Sequence, residues 1–260
     1  NPCLICNRSI RWEFLLRHAL SMGAEFMATG HYARTEPAEG GGIRLLKAVD
    51  PAKDQSYVLH VLEQEKLRRA LFPVGEYPKT EIRAMAESFG LPTASRKDSQ
   101  DLCFLAGDDY RNFLRRHAPE LLGTGEIVRQ DGRAVGRHTG LANYTIGQRK
   151  GLGAASPVPL YVLRKDAAKN ALIVGTEEEL GSTQMSVEDV NWLSGHAPEA
   201  PLRVEVKIRY TARPAWAAVT PAGNGARAQV RFESAVRDIT PGQAAVFYQG
   251  DEVLGGGRIV

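Results

Sequence analysis

At 260 residues, 43% of them hydrophobic, the chain is long enough to bury a core and to form two or so domains. No apolar stretch approaches the ~20 residues that cross a bilayer, and the first residues lack the basic-then-apolar layout of a secretion signal, so a cytoplasmic protein without membrane association is expected. Three cysteines are too few, and odd in number, for a secreted disulfide framework, and a net charge of +3 says little about partners until its distribution is considered.

In chain order, the opening NPCLICN holds Cys3 and Cys6. RSIRWEFLLRHALSMG then sets Ile10, Phe14 and Leu15 at helical spacing and ends on Gly23, a glycine in the C′ position. The next segment, AEFMATGHY, predicts a short buried strand opening into a glycine loop. KTEIRAMAESFG predicts a second helix, with Ile82, Met85, Ala86 and Phe89 on one face and a stop at Gly90 before Pro92. Helix alternating with strand predicts an α/β layer with a parallel sheet, whose ligands gather at the carboxyl ends of strands, where TGHY lies. DDYRNFLRRHAPE predicts a short helix capped by Asp108.

From Gly123 the texture changes to strands and turns. EIVRQDGRAVG reads as two strands around an Asp-Gly turn, LYVLRKDAAKNALIVG as two more, and TIGQRKGLGAASPVP as a long irregular loop. RVEVKIRY alternates strictly, with Val204, Val206 and Ile208 on one face and charges on the other. RAQVRFE, QAAVFYQ and EVLGGGRIV complete a set of strands that predicts a small closed β-barrel.

The charge is clustered. Arg129, Arg133, Arg137, Arg149, Lys150, Arg164 and Lys165 face a single acid, Asp131, in their segment, and Arg203, Lys207, Arg209 and Arg213 form a second basic stretch. Such clusters are the footprint of a polyanion partner, although a solvated polar face is the commoner origin of charge runs.

A Cys-x-x-Cys pair has three ordinary readings: a redox dithiol, half of a zinc site, or part of an iron–sulfur site. Cys6 immediately precedes the predicted first helix, whose dipole would favour its thiolate. A zinc site lacks a second pair of ligands. Near Cys103, Arg96 and Lys97 would lower the thiol pKa while Asp98 and Asp101 would raise it. Gly30 is placed where backbone can approach a ligand and His31 where an imidazole can reach phosphate or base, and Lys53, Asp54 and Gln55 share one polar loop.

Taken together, NPCLICN, ATGHYAR, KDQSYVL, LFPVGEYPKTEIRAMAESFGLPTASRKDSQDLCF, TIGQRKGLG and TPGQAAVFY, in this order, resemble the bacterial tRNA-uridine 2-sulfurtransferase (2-thiouridylase) family along the whole chain. The resemblance implies an α/β fold: part of a pyrophosphatase-loop, Rossmann-like adenine nucleotide hydrolase domain (1–118), a small central mainly β domain (119–180) and a C-terminal RNA-binding β-barrel (181–260). It implies ATP-dependent 2-thiolation of the wobble uridine, with ATP and Mg as cofactors, tRNA as substrate and a cysteine desulfurase or sulfur-relay protein as donor. Cys103 would carry the persulfide and Cys6 would be the nucleophile, the two able to form a redox disulfide. Asn1, Pro2 and Cys3 would line the target base, Gly30 would bind ATP, and His31, Lys53, Asp54, Gln55, Arg209, Tyr210 and Gln243 would contact tRNA.

Two departures from the family pattern stand out. No phosphate-binding Ser-Gly-Gly-x-Asp-Ser word occurs in the sequence, so the chain is expected to be an inactive, N-terminally shortened form; and Cys3 stands where many relatives carry aspartate. That thiol keeps a rival chemistry open, in which Cys3, Cys6 and Cys103 ligate a 4Fe–4S cluster. A non-catalytic RNA-binding fragment is the remaining alternative.

Overall fold

A computed structural model describes residues 1–96, 102–105 and 107–260. The chain divides into two compact units, one built from 1–98, 184–234 and 241–260 and the other from 99–183 and 235–240.

The first unit opens with a helical run over residues 2–21. It starts earlier than expected because the sequence supplies both start signals at once: the Asn1 side chain accepts from the Cys3 N–H, and Pro2, lacking an N–H, occupies the first turn. Cys6 therefore lies inside the helix rather than ahead of it. From Cys6 to Leu15 the winding widens to a π-helix, with the Leu16 N–H reaching back to Arg11 O. Trp12 and Leu16 face the core, whereas the expected apolar trio Ile10, Phe14 and Leu15 is exposed. The run ends as predicted at Gly23 (φ 90°), where the Gly23 and Ala24 N–H groups bond to Leu20 O and Ala19 O.

Strand β1 (Met27–Ala28) follows, then a hairpin of β2 (Ala33–Pro37) and β3 (Ile43–Lys47). β4 (Ala70–Leu71) pairs in parallel with β1, forming a two-stranded sheet; β1 is half-buried to exposed instead of buried, since β4 is its sole neighbour in the sheet among the described residues. The helix Lys79–Ser88 ends at Gly90 as expected, but Phe89 is 72% exposed and none of the helix is fully buried.

In the second unit the helix Tyr110–His117 is capped by Asp109, not Asp108: the Asp109 carboxylate accepts from the Arg111 N–H, while Asp108 binds Asn112 and Arg116. Strands β5 (Gly125–Arg129), β6 (Ala134–His138), β7 (Tyr161–Asp166) and β8 (Ala171–Gly175) form one sheet in the order β6-β5-β8-β7, with β5 and β8 parallel. The Asp-Gly turn between β5 and β6 holds Gly132 at φ 86°, as the sequence predicts. This unit has its own core, built from Ile127, Tyr144, Val162, Leu172 and Val174 among others.

The remaining strands, β9 (Gly181–Trp192), β10 (Leu202–Lys207), β11 (Ala215–Ala222), β12 (Arg227–Arg237), β13 (Ala244–Gln249) and β14 (Glu252–Ile259), follow the order β13-β10-β11-β12-β9-β14, and β13 pairs with β14 to close a six-stranded barrel. Val204, Val206 and Ile208 are buried, as their alternation requires. β13 is buried on both faces, because the segment around Tyr57 covers its outer side: the Tyr57 hydroxyl donates to Ala244 O at 2.9 Å. The β2–β3 hairpin joins the same sheet through β14, where Leu46 and Leu45 face Glu252 and Val253. The N-terminal segment and the barrel thus share one core, in which Trp12, Tyr57 and Leu62 lie with Val246, Tyr248 and Val253.

Candidate active site and RNA-facing surface

The start of the first helix is tied to the barrel. The Asn1 amino group donates to Gly242 O at 3.4 Å, which sets Asn1, Pro2 and the exposed Cys3 beside the turn carrying Gln243. That turn is held by the Gly242 N–H on Ile259 O and the Ile259 N–H on Gln243 O. Cys6 follows one turn later, half-buried and free of any disulfide.

Gly30 and His31 sit in the loop after β1. Gly30 is exposed, and a Cβ there would meet nothing within 4 Å, so open space rather than packing surrounds it. His31 is buried, its Nδ1 2.9 Å from Thr29 Oγ1 and its Nε2 3.5 Å from the Arg11 guanidinium. Burial, then the Arg11 charge, pulls its pKa down to about 4, so the imidazole is neutral at pH 7.

Of the three polar-loop residues, two are occupied internally. Asp54 is buried; Oδ1 accepts from the Ala48 and Ser56 N–H groups, each at 3.1 Å, and Oδ2 from the Ser56 hydroxyl at 2.9 Å. Gln55 exchanges two hydrogen bonds with the Tyr32 backbone, its Oε1 accepting and its N–H donating. Lys53 remains half-buried beside them.

The barrel supplies the other side of this cluster. Lys207 Nζ lies 5.9 Å from the centre of the Tyr57 ring and 5.5 Å from that of Tyr210, and Lys47 Nζ lies 4.8 Å over Tyr248. Burial lowers the Lys207 pKa, with Asp54 opposing and Lys47 assisting. Burial raises that of Tyr210, with Asp54 adding and Lys53 opposing. Tyr210 is 40% exposed and Arg209 half-buried. Lys53, Asp54, Lys207 and Tyr210 therefore meet in one place, although far apart in sequence. Lys47, Tyr57 and Tyr248 were not singled out from the sequence; Tyr57 stands two residues after Gln55 and Tyr248 within AVFYQ, so adjacency to marked words was their signal.

Cys103 belongs to the other unit, exposed on the single turn Cys103–Leu105 and free of any disulfide. Arg96 is exposed; Lys97, Asp98 and Asp101, expected to tune the thiol, lie outside the described residues. Among the described residues no group of three or more His, Cys, Asp or Glu side chains is placed to hold a metal ion. No helix among them is long and apolar enough to cross a membrane.

Each basic stretch holds an arginine engaged by an acid. Arg203 is engaged by Glu233 at 2.7 Å and stacks 4.3 Å over Trp216, and Arg164 lies 3.9 Å from Asp166. Arg149 and Lys150 project from the exposed tip of the glycine-rich loop.

Comparison with known proteins matches the three parts of the chain in order: residues 1–107 to the tRNA methyl transferase HUP domain, 111–176 to the tRNA methyl transferase PRC-barrel domain and 182–259 to the aminomethyltransferase beta-barrel domain. The chain is 50% identical to the tRNA-specific 2-thiouridylase MnmA of Roseiflexus castenholzii, 47% to that of Heliobacterium modesticaldum and 48% to that of Magnetococcus marinus. Each alignment covers all of this chain, and respectively 74%, 68% and 72% of the relative. The HUP segment, the PRC-barrel-like middle and the closed barrel agree with the fold expected from the sequence, and with half its residues shared along its full length the chain belongs to the tRNA-specific 2-thiouridylase family.

Proposed function

We propose that this chain carries the base-positioning and sulfur-transfer residues of a tRNA-uridine 2-sulfurtransferase, acting on the wobble uridine with ATP as co-substrate. The observation that supports it most directly is the state of two thiols: Cys103 is exposed on a short turn, where a donor can reach it, and neither Cys103 nor Cys6 is consumed in a disulfide. In this reading ATP adenylates the uridine 2-oxygen and releases pyrophosphate. A desulfurase or relay protein has meanwhile placed a sulfane sulfur on Cys103. Its terminal sulfur forms a bond to C2, AMP leaves with the C2–O electron pair, and the base is joined to Cys103 through S–S. The Cys6 thiolate attacks Cys103 Sγ, the S–S bond breaks with its electrons staying on the base sulfur, and 2-thiouridine departs from a Cys6–Cys103 disulfide that an external dithiol reduces. Asn1, Pro2 and Cys3 would flank the base, Gly30 would approach the nucleotide with its Mg, and Lys53, Arg209, Tyr210 and Gln243 would face the tRNA, whereas the expected contact from His31 would be indirect, its ring being buried between Thr29 and Arg11. Asp54 and Gln55 would act through the loop that they hold.

The test is labelled-sulfur loading and tRNA thiolation by the protein encoded by the full reading frame. Cys103→Ser abolishes both, Cys6→Ser loads but does not complete transfer, and Cys3→Ser causes a modest loss. Equal loss in all three variants, with iron-dependent activity, would overturn the relay in favour of a cluster. Because the 260 residues contain no Ser-Gly-Gly-x-Asp-Ser word, the chain by itself is expected neither to bind ATP tightly nor to thiolate tRNA; micromolar binding in a calorimetric titration would place the nucleotide elsewhere.

A further inference from the structure

The second unit contains a cavity of about 750 Å³ that the sulfur chemistry does not use. Arg111 and Arg115 line one side, one helical turn apart and so on one face of the helix Tyr110–His117. Lys150, at the tip of the glycine-rich loop, also lines the cavity, with Thr139, Gln148 and the buried ring of Tyr144. No Asp or Glu is among the residues lining it.

The loop that presents Lys150 is braced. The Gln148 carboxamide accepts from the Thr145 N–H and donates to Lys150 O, both at 3.0 Å, and Gly147 and Gly151 take φ 84° and 73°, a conformation that favours glycine. Arg115 is held at 2.5 Å by a neutral acceptor, Asn112 Oδ1, whereas its neighbour Arg116 is neutralised by Asp108. Arg149 lines a separate cavity of about 460 Å³.

We propose that the Arg111–Arg115–Lys150 cavity binds the phosphodiester backbone of an RNA strand. Three cations lining one concave site, of which Arg111 shares its charge with Asp109 at 3.8 Å, favour a polyanion, and the two arginines offer fork-shaped donors suited to phosphate oxygens. The inference rests on the reading of tRNA as substrate and adds a phosphate grip in the middle unit that works apart from the cysteines.

The experiment is tRNA binding by the 260-residue chain as a function of salt. Neutralising each phosphate releases condensed counterions, so the wild-type affinity falls steeply with salt. The double variant Arg111→Gln/Arg115→Gln is expected to lose about tenfold in affinity near 0.1 M salt and to shallow the log–log slope by about 1 to 2. Lys150→Gln, on a different element, lowers it by about 1, which keeps the test open should the helix variant fail to fold. The charge-preserving Arg111→Lys/Arg115→Lys retains the wild-type slope, as does Arg227→Gln in the barrel. Unchanged slopes in the Gln variants, with wild-type binding intact, overturn the cavity and leave the tRNA reading standing. An equal change with Arg227→Gln also overturns it, since a diffuse field would then account for the effect. Absence of any salt-dependent tRNA binding by the wild-type chain overturns both.

Discussion

His31 and His60 are both buried, and burial is the first cause of each pKa falling to about 4, aided by Arg11 at His31 and by Arg8 at His60, where the Tyr57 carbonyl opposes the shift. In an unfolded chain each titrates near 6.5. The unfolded state therefore binds more protons between about pH 6.5 and pH 4, and stability is lost as pH falls through that window. At pH 5 the loss is about 2 kcal/mol for each histidine. Urea unfolding at pH 7 and pH 5 should show this drop, and His60→Gln should remove about half of the pH dependence; a flat profile would mean that both rings are protonated in the native state. Asp54 poses a second question at this scale. It satisfies two backbone N–H groups and one hydroxyl in a buried loop, so Asp54→Ala should cost about 3 kcal/mol of the unfolding free energy obtained from urea titration. Were Asp54 instead a pure RNA contact, stability would stay within about 0.5 kcal/mol and only tRNA affinity would fall.

At the scale of elements, local signals carried well and distant ones did not. The alternation of β10, the Asp-Gly turn between β5 and β6, and the glycine ends at Gly23 and Gly90 all depend on neighbours in sequence, and all were legible. The inward face of the first helix was not: Trp12 and Leu16, rather than Ile10, Phe14 and Leu15, meet a core supplied by strands near the other end of the chain. The Asp54 side chain looks like a ligand in a polar loop until its three donors are seen. Cys3 and Cys6 were visible as a pair, but the Asn1-Pro2 start that places Cys6 inside the helix was read as part of a motif and not as a cap. β14 offers an element-scale test. A Cβ on Gly256 would lie 2.6 Å from Ala245 O and 2.8 Å from the His60 ring, so Gly256→Ala should destabilise the protein by about 1–3 kcal/mol. Gly30→Ala meets nothing and should leave the urea midpoint unchanged, which makes it a clean probe of backbone approach to a nucleotide. An altered midpoint for Gly30→Ala would place that glycine in the packing instead.

For the whole molecule, the decisive feature is that β3 pairs with β14, so that Leu45 and Leu46 lie against Val253 and Glu252 with almost the entire chain between them. Trp12, Tyr57 and Leu62 likewise share their core with Val246, Tyr248 and Val253. The second unit draws nearly all of its residues from one continuous stretch, 99–183, and closes its own core. Removing residues 252–260 should therefore unfold the first unit while leaving the second protected from protease; continued protection of the 1–96 segment would show that it folds without the barrel. During synthesis, moreover, contacts of such sequence separation form late. Residues 99–183 can complete on the ribosome while the helix bearing Cys3 and Cys6 waits for β14 to emerge. Until then those thiols stand in an unfinished domain, and the order of translation itself delays completion of the core behind them.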